Sequence, residues 1–322
     1  MTPTSSRLRQ ALGWLPLTVL AVSAASAWWF FLRGGMRSVL AWLALQIAVP
    51  AVTLVVVVGT IVHAVWTRRR MGRLAATLAL ASVCLWPAGW IFGLLPIAYP
   101  FDLAATSPAA TVRLPTRAPM RVVWGGDDVK HNRHAAFPDQ RWAYDLGVDP
   151  MLVGSSRLED YGCWNVPVVA PTSGTIHVAH DGEPDHEPGK LSFDTRAPLG
   201  NHVVIALPTG TFLIVAHLRN GSVVAREGEP VLEGAPLGAC GNSGNTSEPH
   251  VHIHHQRQDP RGRPINFSEG LPLFFRGHDG APMPLGGIDA SGIRPRPSGA
   301  TVRDREGATA TSGDPCMDAH PR

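Results

Sequence analysis

Three long apolar runs occupy the first 100 positions of the chain. Leu12–Leu32, Val39–Trp66 and Leu74–Tyr99 contain no Asp, Glu, Lys or Arg. Each run reaches or exceeds the roughly 20 residues that a helix needs to cross about 30 Å of hydrocarbon. The pattern therefore predicts three transmembrane helices within residues 12–100, preceded by a short cytoplasmic segment, residues 1–11.

The arginines between these runs predict an orientation. One predicted side of the membrane carries six arginines: Arg7 and Arg9 before the first run, and Arg68, Arg69, Arg70 and Arg73 between the second run and the third. The other side carries two, Arg33 and Arg37, between the first run and the second. Cytoplasmic loops carry the excess of positive charge. We therefore expect a multi-pass protein of the cell membrane, with residues from 101 onward outside the cytoplasm.

Residues 1–27 can also be interpreted as a signal peptide that ends in the cleavage pattern Ala25-Ser26-Ala27. The apolar run continues to Leu32, which favours an uncleaved helix. Both interpretations export the remainder of the chain.

Beyond residue 100 the pattern changes to short segments broken by Gly, Pro, Asn and Asp, which is typical of an all-β domain. The predicted strands are Arg121–Trp124, Arg141–Leu146, Val168–Ala170, Thr175–Ala179, His202–Leu207, Thr211–His217, Pro230–Leu232 and His250–His255. We expect a soluble domain over 120–272. The Pro/Ala/Thr-rich stretch 101–119 predicts a spacer, and the Gly/Pro/Ser-rich stretch 273–322 predicts a disordered tail.

Charge and cysteine content narrow the possible functions. The net charge is +3, and Lys and Arg form no stripe with interleaved aromatic residues, so we expect no nucleic-acid partner. None of the four cysteines forms a Cys-x-x-Cys pair, which disfavours a thiolate metal site. Cys163 and Cys240 could form a disulfide in an oxidising compartment or remain two separately buried thiols.

Histidines are concentrated in Pro249-His250-Val251-His252-Ile253-His254-His255. Residues two apart on a strand face the same side, so His250, His252 and His254 form a row and His255 points away. Such a row indicates a metal or proton-transfer surface. A hydrolytic zinc needs three protein ligands and one open position. His134 and Asp145 are candidates for further ligands, whereas His217, alone on an apolar strand, would ordinarily be a packed core residue.

These stretches together resemble the lysostaphin- or LytM-type zinc metalloendopeptidases. That family has an early His…Asp pair, a central Ala-His-Leu strand and a late His-x-His. This chain has His134…Asp145, Ala216-His217-Leu218 and His250-Val251-His252 in that order. Further similarity lies in Pro167–Ile176, Gly200–Ile205 and Leu237–Gly244, so the resemblance covers roughly 120–256.

The resemblance implies a fold, a cofactor and roles for five residues. The fold is an all-β, two-sheet β sandwich with an open groove. His134, Asp145 and His252 would bind one Zn²⁺, and His217 and His250 would be catalytic. The activity would be hydrolysis of peptide bonds in peptidoglycan stem or cross-bridge peptides. The early His and Asp are further apart here than is usual in the family, so His131 competes with His134 for the first ligand position.

Other functions fit the sequence less well. A catalytically silent relative that regulates cell-wall enzymes would lack several of these five positions. A biotinyl- or lipoyl-type carrier would need a lysine at a hairpin tip, and Lys190 lies in a Pro/Gly-rich loop instead. The sequence leaves open the peptide bond, the oligomeric state and the general base.

Overall fold

The structure is a computed structural model that describes residues 13–67, 71–91, 94, 103–104, 106–192, 194–262 and 267–305. Contacts divide the chain into two compact units. One comprises Met1–Ala105 with Pro264–Glu269, and the other comprises Thr106–Arg263 with Gly270–Arg322. The predicted cytoplasmic segment, residues 1–11, lies outside the described residues.

The first unit is helical. Its elements are α1 (Leu15–Phe31), α2 (Gly35–Leu43), a π-helical turn (Ala44–Ala48), α3 (Val49–Thr67), α4 (Met71–Leu85) and α5 (Ala88–Ile91). Pro16 lies in the first turn of α1, where its missing N–H leaves no hydrogen bond unmade. All three predicted apolar runs therefore contain helix.

The prediction of three membrane-spanning helices, and with it the multi-pass topology, is not supported. Within the described part of the chain, one helix, Gly35–Trp66, is long and apolar enough to cross a membrane. Helix α1 has 17 residues and α4 has 15. At about 1.5 Å per residue these two fall short of the roughly 30 Å hydrocarbon layer. The run that was expected to continue to Tyr99 is interrupted after Leu85 by a turn at Trp86 and Pro87.

The second unit is mostly β. Its strands are β1 (Ala110–Val112), β2 (Met120–Trp124), β3 (Tyr144–Gly147), β4 (Pro167–Val169), β5 (Gly174–His180), β6 (Asn201–Ala206), β7 (Phe212–Leu218), β8 (Pro230–Val231), β9 (Pro236–Ala239), β10 (Val251–Gln256), β11 (Gly270–Leu271), β12 (Leu273–Phe275), β13 (Ile288–Asp289), β14 (Arg296–Pro297) and β15 (Thr301–Val302). All eight predicted strands are present.

One large sheet organises this unit. Nine strands form it in the order β15-β2-β3-β10-β7-β6-β5-β8, with β11 also paired to β10. The described residues contain three further sheets of two strands each, β1-β12, β4-β9 and β13-β14. The architecture therefore differs from the expected two sheets: a single large sheet is accompanied by small ones.

The hydrophobic core lies on one face of the large sheet. Alternate residues of its strands, such as Leu146, Val215 and Ile253, are buried there with Val168 of β4 and Phe275 of β12. Successive residues of a strand point to opposite faces. Asp145, Ala216 and His252 therefore belong to the other face, and this alternation determines where polar side chains gather.

The boundaries predicted for the spacer and the tail are wrong. Strand β1 within 101–119 pairs in parallel with β12, and β15 within 273–322 pairs with β2. Val112, Phe275 and Val302 are at most 1% exposed and belong to the core. The prediction relied on the low content of apolar residues in these two segments. The structure shows that a few large apolar side chains on short strands are sufficient to hold each segment in the core. Residues 306–322 lie outside the described part of the chain.

Cys163 and Cys240 form a disulfide, with Cα atoms 5.8 Å apart. The bond joins the loop before β4 to the end of β9, where Cys240 also forms a β-bridge with Leu218. Of the two alternatives that the sequence left open, a disulfide or two separate thiols, the structure has the disulfide.

Candidate metal and catalytic site

Two of the predicted metal ligands are cross-strand partners. Asp145 on β3 and His252 on β10 are directly paired in the antiparallel ladder. Their side chains point away from the core, and Nδ1 of His252 lies 2.8 Å from Oδ1 of Asp145. Both residues are 2% exposed. The register of β3 and β10 therefore produces this contact.

The third predicted ligand comes from a short 3₁₀ helix, Arg133–Ala136, between β2 and β3. Asn132 caps the helix by accepting the backbone N–H of His134, and its own amide donates to the carbonyl oxygens of Gly126 and Ala143. Nε2 of His134 then lies 2.9 Å from Oδ2 of Asp145. That nitrogen is buried, and the carboxylate oxygen of Asp145 is its polar contact.

His134, Asp145 and His252 together form a group that could hold a metal ion. Each offers one ligand atom, and these atoms all lie within 4.8 Å of one another. His131, the alternative to His134 as first ligand, is not in this group. Its Nδ1 lies 2.8 Å from the Asp128 carboxylate, and its side chain is partly exposed. The geometry therefore favours His134 over His131.

His217 reaches the same site through an irregularity in β7. Val203 pairs with Val215 while Asn201 pairs with Leu218, so Ala216 and His217 together oppose one residue of β6. This is a β-bulge, which redirects side chains. His217 has φ of +62°, a left-handed conformation. As a result Leu218 joins the core, and the His217 ring lies 5.6 Å from that of His252.

Backbone carbonyls hold both His217 and His250. Nδ1 of His217 donates to the carbonyl oxygen of Ser243 over 2.8 Å. Nδ1 of His250 donates to the carbonyl oxygen of Glu248, also over 2.8 Å. The two ring centroids are 4.8 Å apart, and Nε2 of His250 lies 3.5 Å from Oδ1 of Asp145. In the neutral form of each ring, Nε2 is then the nitrogen without a proton.

Burial and mutual charge shift the pKa values of these groups. Burial alone would raise the pKa of Asp145, but His134 and His250 outweigh it and hold that pKa well below its usual value. Burial lowers the pKa of His252 to about 4 and that of His217 well below its usual value. His250 is the exception: Asp145 outweighs burial and raises its pKa.

The loop that supplies Ser243 and Glu248 is fastened by the segment Asp181–Leu199. The Asp185 carboxylate accepts the backbone N–H groups of Asn220 and Asn242. Asp181 likewise accepts those of Gly221 and Val223. These two carboxylates therefore tie the segment to the backbone on either side of β9.

Arg133 did not emerge from the sequence as a neighbour of the site, and His254 was predicted in the histidine row but has no counterpart in the family motif. A guanidinium nitrogen of Arg133 lies 3.6 Å from Oδ2 of Asp145, with the side chain 45% exposed. His254, which the motif left without a role, is 2% exposed and hydrogen-bonded to His252. The sequence signal for His254 was the two-residue alternation along β10, which puts it on the same side of the strand as His252.

Residues 160–267 match the family model of Peptidase family M23. The matched segment contains His217, His250 and His252, whereas His134 and Asp145 precede it. The match covers about a third of the chain and supports a peptidase. No curated protein matches the sequence.

Several solved structures are similar to the chain. The catalytic domain of the prophage-encoded M23 protein EnpA from Enterococcus faecalis is 18% identical, with 47% of this chain and 95% of that chain covered and a TM-score of 0.29. Pseudoalterin, described as an M23 metalloprotease from the deep sea, is 16% identical, with coverages of 59% and 99% and a TM-score of 0.33. The catalytic domain of lysostaphin from Staphylococcus simulans is 19% identical, with coverages of 35% and 64% and a TM-score of 0.24. At these TM-scores the structural similarities carry no argument, and the likeness to Peptidase family M23 rests on the sequence match.

Proposed function

We propose that this chain is a zinc metalloendopeptidase that hydrolyses peptide bonds in peptidoglycan. One observation carries the proposal: five residues from four segments of the chain lie close together, namely His134, Asp145, His217, His250 and His252. The family match to residues 160–267 supports the peptidase class.

The residues fit a single zinc ion. Two imidazoles and one carboxylate are a ligand set that catalytic zinc uses, with the fourth position open to water or substrate. Nε2 of His134 is buried and lies 2.9 Å from Oδ2 of Asp145, and the ligand atoms of His134, Asp145 and His252 all lie within 4.8 Å of one another, so one divalent cation could bind all three. His134, Asp145 and His252 are therefore the proposed ligands.

A zinc ion in such a site polarises a substrate carbonyl and lowers the pKa of water to about 7. The chain supplies the remaining chemistry through His217 and His250. Because each donates Nδ1–H to a backbone carbonyl, each neutral ring presents Nε2 to accept a proton. Once protonated, Nε2 can donate a hydrogen bond to the developing oxyanion or pass the proton to the leaving amine. The strained backbone of His217 is consistent with a functional position.

The substrate and location are inferred from the family and from the N-terminal helices. Peptides of peptidoglycan are the substrate class that the resemblance to lysostaphin-type enzymes implies. The candidate span Gly35–Trp66 would anchor the chain in the cell membrane. We infer an extracytoplasmic peptidase domain from the Cys163–Cys240 disulfide, because disulfides persist in oxidising compartments.

The test is digestion of purified peptidoglycan by the full-length chain, with the new termini identified by mass spectrometry and bound zinc measured in parallel. We expect His217→Ala and His250→Ala to retain zinc and lose activity, and His252→Ala to lose both. His177→Ala is the matched control, because His177 pairs with Asp259 on another part of the sheet. Full activity in His250→Ala would reject its catalytic role. A wild-type chain that binds no zinc with these histidines intact would instead favour the silent regulator.

A further inference from the structure

Three side chains on one face of β10 form a continuous hydrogen-bonded row that ends at the proposed zinc site. Nε2 of His252 lies 2.9 Å from Nδ1 of His254. Nε2 of His254 lies 3.0 Å from Oε1 of Gln256. The side-chain amide of Gln256 in turn donates to the carbonyl oxygen of Gln258 over 2.7 Å. The alternation of the strand, 252, 254, 256, aligns all three.

The far end of this row determines the direction of every bond in it. The carbonyl oxygen of Gln258 can only accept, so it takes the amide N–H of Gln256 and turns Oε1 toward His254. An amide oxygen also only accepts, so Nε2 of His254 must carry the proton. In a neutral imidazole the other nitrogen is then an acceptor, and Nδ1 of His254 accepts Nε2–H of His252.

These proton positions determine the tautomer of His252. With its proton on Nε2, its Nδ1 carries a lone pair, and this is the nitrogen that lies 2.8 Å from Asp145. A nitrogen lone pair and a carboxylate oxygen that lie side by side can both bind a divalent cation. A metal-bound histidine commonly donates its second ring N–H to a partner that fixes the ring's tautomer and orientation.

We propose that His254 is a positioning residue that holds His252 in the tautomer with Nδ1 free for zinc, and that Gln256 sets the polarity of His254. This inference rests on the proposed function. It gives a role to a buried histidine that the five-residue site leaves unused.

The opposite face of the same strand provides a matched comparison. His255 is 1% exposed and hydrogen-bonded to Thr211 and to the carbonyl oxygen of Pro272, with no contact to the proposed ligands. If burial alone explained His254, replacing either histidine would have the same effect on zinc. The proposal requires that only His254 matters.

The experiment measures the dissociation constant of zinc by chelator competition, using the full-length chain purified in detergent. We expect His254→Leu, which removes the acceptor, to weaken zinc binding by about 10- to 100-fold, the usual effect of losing an outer-shell partner. His254→Asn returns an acceptor oxygen near the position of Nδ1 and is expected to recover most of the affinity. His255→Leu should bind zinc like wild type, because His255 is hydrogen-bonded to Thr211 and Pro272 on the other face of the strand.

A second measurement does not depend on any variant folding. In wild-type protein with ¹⁵N-labelled histidine and bound zinc, we expect both His252 and His254 to carry the proton on Nε2. A His254 protonated on Nδ1, or a His254→Leu variant with wild-type zinc affinity, would overturn the proposal while leaving the peptidase function intact. A wild-type chain that takes up no zinc would overturn the proposed function itself.

Discussion

Asp145 and His252 lie directly opposite each other on β3 and β10, with Oδ1 and Nδ1 2.8 Å apart. Directly opposite residues of an antiparallel pair have Cβ atoms about 4.5–5.5 Å apart, so the sheet register alone brings these side chains together. A slip of β10 by one residue would turn His252 toward the core and Ile253 away from it. The proposed metal site is therefore specified by the same pattern that packs Leu146 and Ile253.

Asp145→Asn should abolish useful zinc binding. The amide keeps the shape of the side chain but removes its charge and replaces one ligand oxygen with a donor nitrogen. We expect affinity to fall by more than about 100-fold, beyond the effect of losing an outer-shell partner. Asp149→Asn is the control, since Asp149 is exposed and pairs with Arg121. Chelator competition measures both, and a variant at position 145 that binds zinc like wild type would contradict the assignment.

The sequence predicted the components of the site better than their arrangement. Period-two alternation placed His250, His252 and His254 in one row, and the structure has them on one side of β10. The approach of His217 could not be predicted, because it depends on a bulge in β7 and a left-handed φ of +62°. Regular alternation would have left His217 in the core beside Val215.

The choice between His134 and His131 also required the structure. Both are close to Asn132, and only the fold shows that the Asn132 side chain caps the 3₁₀ helix carrying His134. The carboxyl-terminal strands were missed for a different reason. These strands pair with β1 and β2, which are far away in the sequence. Composition alone cannot predict such a pairing, for example that of Thr301 with Arg121.

The disulfide should stabilise the β unit. Cys163 and Cys240 are 77 residues apart, and a cross-link across a loop of this size typically contributes about 2–5 kcal/mol. We expect the variant with Cys163→Ser and Cys240→Ser to lose that much free energy of unfolding, measured by urea denaturation. Reductant should shift the wild-type transition and leave the double variant unchanged. An equal shift in both would show that the disulfide is not responsible.

The carboxyl-terminal segment should be required for stability. Phe275 on β12 is 1% exposed and packs edge-on against Tyr144 with ring centroids 4.8 Å apart. Phe275→Ala is expected to cost about 3–5 kcal/mol of unfolding free energy. Ile293→Ala, in the same segment but fully exposed, should change it by less than about 0.5 kcal/mol. Similar effects of the two variants in thermal unfolding would contradict the packing role of β12.

Acid should destabilise the metal-free protein through His255. Burial lowers the pKa of His255 to about 4, whereas in the unfolded chain it is about 6.5. Between these values the unfolded state binds more protons, so stability falls as pH drops from about 6.5 and levels off below about 4. The histidine should account for about 3 kcal/mol of that loss. His255→Gln should flatten the curve of unfolding free energy against pH, and parallel curves for wild type and variant would refute this.

Removal of zinc should lower the thermal stability in a pattern that separates ligands from catalytic residues. A ligand that binds only the folded state stabilises it by about 4 kcal/mol when present at about 1,000 times its dissociation constant. Chelation should therefore lower the unfolding midpoint of the wild-type chain. His217→Ala should show the same shift, because the Nδ1 of His217 is held by Ser243 and no part of its ring belongs to the proposed ligand group. His252→Ala should show no shift, since the ligand that pairs with Asp145 is gone. A chelation-sensitive His252→Ala chain would place the metal elsewhere, and an insensitive His217→Ala chain would make His217 a ligand.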